Sequence, residues 1–418
     1  MLTATKLRLY PTADQVQTLA VQFGCVRFVW NRALAMKKAA WDERQESLSC
    51  FTIKSMLSVW KKGEFPWLKD ADSQALQETI RHLDGAYQKF FKKKSKYPRF
   101  KKKYASRQSF AYSQRVKLDG NLAYLPKVGW VKAVVHREIV GKIKTVTISR
   151  ESTGKYYASI LADDGLAAAA PLTHLSGERV SGIDLGLKDA IANSHGGKSG
   201  NPKFLRRSLK NLKRKQQALS RKIEAAKGRC TMAGKPLANI RDFFGSNIAK
   251  GRKRVASAHE RVRNARNDWQ HKLSRQLADE NQAVAAETLN VKGMMKNRHL
   301  SRAIADVGWA GLLTKIDYKL KKQGGRLVKI DRWFPSSKTC SICGEKHEGL
   351  KLSDRNWLCA TCGTLHDRDW NAALNIRSQG ILKLKAEGLS VSAHGGCVSP
   401  AHKAPAAACE VGSLRLQA

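Results

Sequence analysis

Residues 180–196 read VSGIDLGLKDAIANSHG, and this stretch decides the fold. It predicts a buried strand, a tight glycine turn and a second strand. Asp184 stands in the first strand between Ile183 and Leu185. A carboxylate between two apolar neighbours is costly unless it is bound to something, because burial removes its water. We therefore expect an α/β domain over residues 181–378, with a functional acid on its first strand.

Two further acids stand in similar settings farther along the chain. Glu287 follows the apolar run AVAA, which predicts a second buried strand. Asp369 lies in HDRDWNAALNI, where a strand end or loop passes into a helix. Each acid alone is better explained as a helix N-cap or as a satisfied buried carboxylate. Together, in a basic chain, Asp184, Glu287 and Asp369 predict a site for two Mg²⁺ ions about 3.5–4 Å apart, which stabilise both oxygens of a phosphodiester cleavage.

Four of the nine cysteines form two C-x-x-C pairs. They are Cys340, Cys343, Cys359 and Cys362, and their spacing predicts a zinc ribbon at residues 336–366. Two tight turns of this kind place four thiolates around one metal, and an S₄ site favours Zn²⁺ or Fe. Redox pairing is the alternative, which a reducing compartment disfavours. Because a closed four-thiolate site leaves no open coordination position, we predict one structural Zn²⁺.

Charge is the most unusual bulk property of the chain, with 77 Lys and Arg residues against 34 Asp and Glu, a net charge of +43. Nucleic acid is the natural partner, because a polyanion neutralises this excess and releases counterions. A solvated basic surface and an anionic membrane are the alternatives, but solubility needs only about 2–8 net charges. No apolar run approaches the ~20 residues of a membrane span. Residues 1–10 lack the features of a secretory signal, so we expect a cytoplasmic protein that acts at the nucleoid.

Two basic surfaces are candidates for contact with nucleic acid. In the first, FFKKKSKYPRFKKK at residues 90–103, cations can follow phosphates and aromatic rings can stack on bases. The second lies on two long helices predicted within residues 203–280, whose apolar stripes indicate an antiparallel hairpin. The predicted contact residues are Lys92, Lys93, Lys94, Lys96, Tyr97, Arg99, Lys101, Lys102, Lys103, Arg206, Arg207, Lys210, Lys213 and Arg214. A solvated linker and a solvated helix face are the alternative interpretations.

The remaining segments differ in their patterns. Residues 11–111 have apolar residues at helical spacing, with Pro11-Thr12-Ala13-Asp14 as a helix start. Residues 110–180 are rich in β-branched and aromatic residues separated by turns, which predicts strands. The stretch after residue 378 is rich in Ala, Gly and Ser, so we predict a flexible tail at 379–418.

At these motifs the chain resembles the TnpB (OrfB-type) family of bacterial insertion sequences. That family consists of RNA-guided DNA endonucleases related to compact type V CRISPR effectors. The matching segments occur in family order and cover the chain to about residue 378. They are KLRLYPTADQ, FVWNRAL, YPRFKKK, GIDLGLKD, ETLNVKGMMKNRHLSRAIADVGW, DRWFPSSKTCSICG, CATCG and HDRDWNAALNI.

The resemblance implies a multidomain α/β fold. A wedge-like β-barrel is expected from residues 1–10 and 112–180, with a helical recognition lobe inserted at 11–111. An RNase H-like (RuvC) nuclease would span 181–378, and the zinc ribbon would be inserted before its last motif.

The resemblance also implies roles for individual residues. Asp184 in GIDLG, Glu287 in ETLN and Asp369, the second acid of DRD, are expected to be the catalytic ligands of Mg²⁺. Asp367 is the runner-up for the third position. Thr288 departs from the family pattern, because an acidic or amide residue often follows the glutamate, and we expect it to alter strand packing.

The resemblance implies that a guide RNA and double-stranded target DNA are the partners, with no small-molecule ligand. Guide pairing would open the duplex and the RuvC site would cut both strands. Three other functions remain open: a transposase that joins strands, a nuclease-inactive guided DNA-binding regulator, and an RNase H-like enzyme that acts on RNA.

Overall fold

The computed structural model describes residues 1–351 and 353–392, which form two compact units. The first comprises residues 1–167 and 226–257; the second comprises 168–225 and the described residues from 258 to 392. This division differs from the predicted boundaries. The expected barrel and helical lobe share one unit, and the two long helices expected at 203–280 are divided between both units.

An antiparallel sheet of seven strands forms half of the first unit, with the order β2-β6-β7-β1-β5-β4-β3. Its strands are β1 (Leu2–Tyr10), β2 (Arg107–Tyr112), β3 (Lys117–Asp119), β4 (Leu122–Leu125), β5 (Gly129–Val134), β6 (Lys142–Glu151) and β7 (Tyr156–Asp163). The end strands β2 and β3 are not paired with each other within the described residues, so the hydrogen bonding leaves the sheet open. The wedge-like β-barrel implied by the resemblance therefore stays a prediction.

Helices form the other half of the first unit, as predicted. They are α1 (Ala13–Arg44), α2 (Cys50–Lys62), a 3₁₀ helix at Pro66–Asp70 and α3 (Ser73–Phe91). The predicted start of α1 is confirmed: the Thr12 hydroxyl accepts from the Gln15 amide at 3.4 Å, and the Gln15 side chain accepts from the Thr12 amide at 3.1 Å. This reciprocal capping satisfies two amide donors that the first turn leaves free.

One hydrophobic core joins these helices to the sheet. Leu19 of α1, Ile80 of α3, Leu9 of β1 and Ile160 of β7 are all completely buried within it. Helices α1 and α3 also contact β2, and a helix packed on an end strand is one way of protecting its edge. The helical lobe and the sheet therefore cannot be separated without exposing a common apolar interior.

The second unit contains a mixed sheet of four strands in the order β10-β9-β11-β12. Besides two long helices, the unit contains the following strands and helices as far as the last strand of this sheet: β8 (His174–Leu175), β9 (Val180–Asp184), β10 (Ala192–Asn193), β11 (Ala283–Ala286), α6 (Val291–Met294), α7 (Ser301–Val307), α8 (Trp309–Lys322) and β12 (Arg326–Lys329). Strands β9, β11 and β12 are parallel, and β10 is antiparallel to β9. The two predicted long helices are confirmed as α4 (Phe204–Met232) and α5 (Ser246–Glu280), and both contain residues of each unit.

The chain after β12 forms a short hairpin and one long helix. The hairpin strands are β13 (Asn356–Leu358) and β14 (Leu365–Asp367), followed by α9 (Arg368–Ala386) and β15 (Ser390–Val391). Helix α9 continues beyond the predicted domain end at 378, and β15 pairs with β8. The predicted flexible tail is therefore wrong for residues 379–392, because Leu384 is buried. The rest of that prediction lies outside the described residues.

Helix α9 packs on the sheet with no side chain between the two backbones at Gly182. A Cβ atom there would lie 2.2 Å from the Ala373 carbonyl oxygen and 2.4 Å from the Arg377 amide nitrogen. A second close approach lies at Gly380, where a Cβ would meet the Ala285 Cβ at 2.3 Å. Glycine at these two positions lets α9 lie directly on β9 and β11.

We expect Gly182→Ala to unfold much of the second unit, because backbone atoms cannot yield as a flexible side chain can. The expected cost is about 3 kcal/mol or more. Urea unfolding followed by circular dichroism measures it. Gly228→Ala is the matched control, because nothing lies within 4 Å of a Cβ there and alanine favours its helix. Equal stability of the two variants would contradict the prediction.

Candidate functional site

Two of the three predicted acids are neighbours at one edge of the second sheet. Ile183 of β9 pairs with Ala286 of β11 in parallel register, and the next residues are Asp184 and Glu287. Adjacent strands lie ~4.8 Å apart. The two carboxyl-bearing residues therefore leave the sheet side by side, at the ends of their strands.

Helix α9 brings the third acid to the same edge because it runs antiparallel to β9. The Arg377 Nε donates to the Val180 carbonyl at 2.7 Å, and one turn earlier Ala373 lies against Gly182. One further turn leads to Asp369 at the level of Asp184. The structure thus brings all three predicted acids together through two packing contacts.

The pKa of Asp184 also reflects the proximity of Glu287 and Asp369. Burial, followed by repulsion from Glu287 and then from Asp369, raises the pKa of Asp184 to about 7. A carboxyl group so perturbed by desolvation and by like charges marks a candidate functional site. The three acids are spread more widely than the ligands of a single ion, since in the described chain only the four-cysteine group has all its ligand atoms within 4.8 Å of one another.

Glu287 is held in place by a serine that the sequence did not single out. The Ser336 hydroxyl donates to Glu287 Oε1 at 2.5 Å, and Ser336 is buried. The neighbouring Thr288 donates its hydroxyl to the Ile330 carbonyl at 2.7 Å. Both contacts join the end of β11 to the chain that follows β12.

Asp367, the runner-up for the third acid, is already engaged. Its carboxylate caps α9 by accepting from the Trp370 amide at 3.0 Å, and it forms an ion pair with Lys198 at 2.7 Å. Burial alone would raise the pKa of Asp367, but these partners outweigh it and the pKa lies below its ordinary value. The Asp369 carboxylate lies 3.5 Å from the Arg355 guanidinium and raises the pKa of Asp184, so Asp369 is the better candidate for a metal ligand.

Asp367→Asn is therefore expected to cost stability rather than metal binding. Because its folded pKa is depressed, the ionised carboxylate stabilises the fold above its ordinary pKa near 4, and this contribution is lost as pH falls. We expect a loss of about 1 kcal/mol at pH 7 and less at pH 3, measured by urea unfolding at both values. Unchanged stability at pH 7, or loss of divalent-ion binding by titration, would contradict this assignment.

The four predicted zinc ligands form one compact cluster. Their sulfur atoms all lie within 4.8 Å of one another, with Cys340 to Cys362 at 3.7 Å and Cys343 to Cys359 at 3.5 Å. Tetrahedral Zn²⁺ with bonds of about 2.3 Å would hold the sulfurs ~3.8 Å apart, so the donor set fits a zinc site. Gly344 and Gly363 follow the second cysteine of each pair with φ of 81° and 67°. Glycine is suited to both turns, because residues with side chains rarely adopt such φ values.

Two asparagines of α9 fasten the cysteine module to the sheet. Asn371 accepts from the Ser341 amide and donates to the Thr339 carbonyl, and Asn375 donates to the carbonyls of Ser336 and Thr339. Both are buried and lie four residues apart. Two amides at helical spacing within the apolar pattern NAALN were a signal in the sequence that we did not use.

The predicted nucleic-acid residues are exposed with one clear exception. Lys101 places its ammonium 4.0 Å from the centre of the Trp30 ring, and burial lowers its pKa to about 8. Its backbone exchanges two hydrogen bonds with the Asn31 side chain, so this part of the basic segment is held on α1. Tyr97 is partly engaged, since its hydroxyl lies 2.8 Å from that of Tyr87. The other lysines and arginines named above remain open to solvent.

No helix among residues 1–351 and 353–392 is long and apolar enough to cross a membrane.

Three family models match parts of this chain. A "Helix-turn-helix domain" model of the OrfB type matches residues 1–46, where the structure has strand β1 and the single helix α1. A model described as "Probable transposase" matches residues 170–298, and one described as "Cas12f1-like, TNB domain" matches residues 309–376. The last range contains all four clustered cysteines.

Whole-chain relatives extend these matches. A protein of Streptomyces pristinaespiralis named "Putative RNA-guided DNA endonuclease" is 37% identical, over 90% of this chain and 89% of its own length. "Putative RNA-guided DNA endonuclease InsQ" of Escherichia coli is 30% identical, over 91% and 92% respectively. The solved Cas12f1-sgRNA-target DNA complex shares the fold with a TM-score of 0.51 and 14% identity, over 90% of this chain and 98% of that one. The chain belongs to the OrfB/TnpB family of IS605-type elements, which is related to Cas12f.

Proposed function

We propose that this chain is an RNA-guided DNA endonuclease of an insertion sequence. It cleaves double-stranded DNA at an RNase H-like (RuvC) site where Asp184, Glu287 and Asp369 hold two Mg²⁺ ions. The observation that carries this proposal is the convergence of these three acids at one sheet edge. The names of its relatives point to the same activity.

The topology around the acids supports an RNase H-like domain. Three parallel strands are joined on one side by an antiparallel strand, and α9 covers the sheet. Each acid ends or follows a buried strand, or begins a helix packed on those strands. Such positions keep the carboxyl groups rigid while leaving their oxygens at the rim, where a phosphodiester can approach.

The residues present fit divalent ions. Three oxygen-donor carboxylates form a set that Mg²⁺ prefers, and burial together with repulsion from Glu287 and Asp369 raises the pKa of Asp184. Bound there, Mg²⁺ would activate water and stabilise charge on the scissile phosphate. The chain supplies the orientation: Ser336 fixes the Glu287 carboxylate, and the N-terminal turn of α9 fixes Asp369.

The charge of the chain fits two polyanions at once. Its excess of 43 positive charges exceeds what one short duplex contact would neutralise. We propose that guide RNA and target DNA share the basic surfaces at residues 92–103 and along α4. Guide pairing would then provide sequence choice, while these side chains contact phosphate and shape.

Reprogramming of the guide is the experiment that tests this function. RNA that copurifies with the protein is sequenced, its 3′ segment is replaced, and cleavage of matched DNA is measured with Mg²⁺. We expect breaks to move to the new match, and a scrambled 3′ segment on the same RNA to give none. Cleavage that ignores the RNA would refute guidance while leaving a nuclease.

Strand transfer is the second candidate function, since residues 170–298 match a model described as "Probable transposase". The same acids could serve both reactions, because the two-metal chemistry is shared. Incubation with transposon-end DNA and a target plasmid separates them. Joined products without plain double-strand breaks would favour the transposase and contradict our proposal.

A further inference from the structure

The loop between β12 and the cysteine module is fastened at both ends beside Glu287. At its start, the Ile330 carbonyl accepts from the Thr288 hydroxyl at 2.7 Å; at its end, the Ser336 hydroxyl donates to Glu287 at 2.5 Å. Trp333 lies three residues from each anchor. Its Cα is therefore within about 11 Å of both anchor Cα atoms, because one residue spans at most ~3.6 Å.

Two consecutive aromatic residues of this loop have opposite environments. Phe334 packs against the buried cluster of Ala285, Ile330 and Ile376. Trp333 is 79% exposed, more than any other tryptophan in the described chain. Its backbone amide donates to Asp331 Oδ1 at 3.1 Å, which fixes the turn. The loop thus uses one ring as an anchor and presents the other outward.

Arg332 covers part of the presented ring. Its guanidinium lies 4.7 Å from the centre of the Trp333 ring, which leaves the rest of the indole open. Such a cation–π contact limits the motion of an exposed ring and adds positive charge beside it. The exposed Lys329, which pairs with Ala286 at the last position of β12, adds a further cation.

We propose that Trp333, supported by Arg332, is a stacking site for an unpaired base of the DNA strand that is being cut. This inference rests on the proposed function, because it places the base next to the Mg²⁺ site. With its Cα within about 11 Å of both anchors, Trp333 would contact a base a few nucleotides from the scissile phosphate.

The chemistry of the ring favours a single strand over a duplex. An exposed indole stacks on the face of any base, while the cation beside it attracts the neighbouring phosphate. Bases inside a duplex already have both faces covered by their neighbours. Only an unpaired base offers a free face, and guided strand opening supplies such bases. The site therefore holds the strand by stacking without choosing its sequence.

Photo-crosslinking tests contact directly and without cleavage. Short single-stranded DNA containing 5-bromodeoxyuridine is irradiated with the zinc-loaded protein in buffer without Mg²⁺, and crosslinked peptides are mapped by mass spectrometry. We expect a crosslink on the peptide that contains Trp333, retained in Trp333→Phe and lost in Trp333→Ala. Asp184→Asn should retain the crosslink, because that change leaves Trp333 and Arg332 intact. A Trp333 peptide with no crosslink in the wild-type protein would overturn the proposal.

Cleavage provides the second readout. We expect Trp333→Ala to lower single-turnover cleavage roughly 5- to 150-fold, the equivalent of 1–3 kcal/mol of stacking, and to broaden the cut positions. Trp333→Phe should recover most of the rate. Trp41→Ala, at a 53% exposed tryptophan of the first unit, is the matched control and should leave both unchanged.

The two proposals fail in different ways. A crosslink at Trp333 in a protein that cuts no DNA with any guide would refute the endonuclease and leave the stacking site standing. Guided cleavage at the wild-type rate and position by Trp333→Ala, with a wild-type melting temperature, would refute the stacking site alone.

Discussion

Asp184→Asn is expected to lower the rate of DNA cleavage on the order of a thousandfold or more, and also to stabilise the metal-free protein. Asparagine keeps the shape of the side chain but loses the charge that binds Mg²⁺. The same charge is costly in the empty site, because Asp184 is desolvated and faces Glu287 and Asp369. In this variant the cleavage rate should therefore fall while the stability of the metal-free protein rises.

The pH dependence of this stabilisation follows from the raised pKa. Between the ordinary value near 3.8 and the folded value of about 7, the folded carboxyl keeps its proton while the unfolded one has lost it. The stability of the metal-free wild type therefore falls as pH rises through this window and levels off above it. The advantage of the asparagine variant should be absent near pH 4 and greatest above pH 7.

Thermal melts of the zinc-loaded protein in Mg²⁺-free buffer at pH 5 and pH 8 measure this difference, which we expect to be a few degrees at pH 8. Millimolar Mg²⁺ should stabilise the wild type but not the variant. Asp268→Asn is the matched control, since Asp268 is 64% exposed and paired only with Lys272 in the next turn. Mg²⁺-dependent cleavage that survives in Asp184→Asn would remove the proposed site.

Cys359→Ser is expected to abolish zinc binding and the fold of the cysteine module. The buried cluster inside the module consists of Cys340, Leu350, Trp357 and Cys359, so two of its four members are metal ligands. Such a small interior cannot hold the segment without the metal, and structural Zn²⁺ sites provide roughly 10–16 kcal/mol of binding free energy. We expect about one Zn²⁺ per wild-type chain.

Loss of zinc in Cys359→Ser should also lower the rate of DNA cleavage. Thr339 and Ser336 are bonded to Asn371 and Asn375, and Ser336 in turn holds Glu287. A disordered module should release that serine and lower the cleavage rate by about 10- to 100-fold, the usual effect of losing a partner of a metal ligand. Zinc content and limited proteolysis provide the first measurements. Cys50→Ser is the control, and a Cys359→Ser protein with one bound zinc and wild-type proteolysis would refute the metal assignment.

The parts of the fold that could be predicted are those with a local signature. The isolated charge of Asp184 in an apolar strand, the paired cysteines and the Thr12 cap each depend on a few neighbouring residues. The convergence of the acids depends instead on register and on α9, which come from contacts between distant segments. Ser336, which holds Glu287, had no local signal, because the hydroxyl residues of SSKT at 336–339 are also typical of a surface turn.

The end of α9 was missed for a different reason. Gly380 interrupts the apolar pattern of the helix at the start of a stretch rich in small residues. Ile376, Gly380 and Leu384 nevertheless repeat every four residues, and all three are buried. Glycine stands there because the helix touches Ala285, not because the helix stops. Glycine occurs both where a helix packs closely and where a chain is flexible, so the residue alone does not distinguish the two cases. The packing partner, here Ala285, distinguishes them.

The packing of α9 on Gly182 has a consequence for biosynthesis. Strand β9 leaves the ribosome long before the helix that must cover it and bring Asp369 to Asp184. A nascent or prematurely terminated chain would already carry its basic surfaces, yet lack the third carboxylate. We expect a chain that ends before α9 to bind nucleic acid without cleaving it.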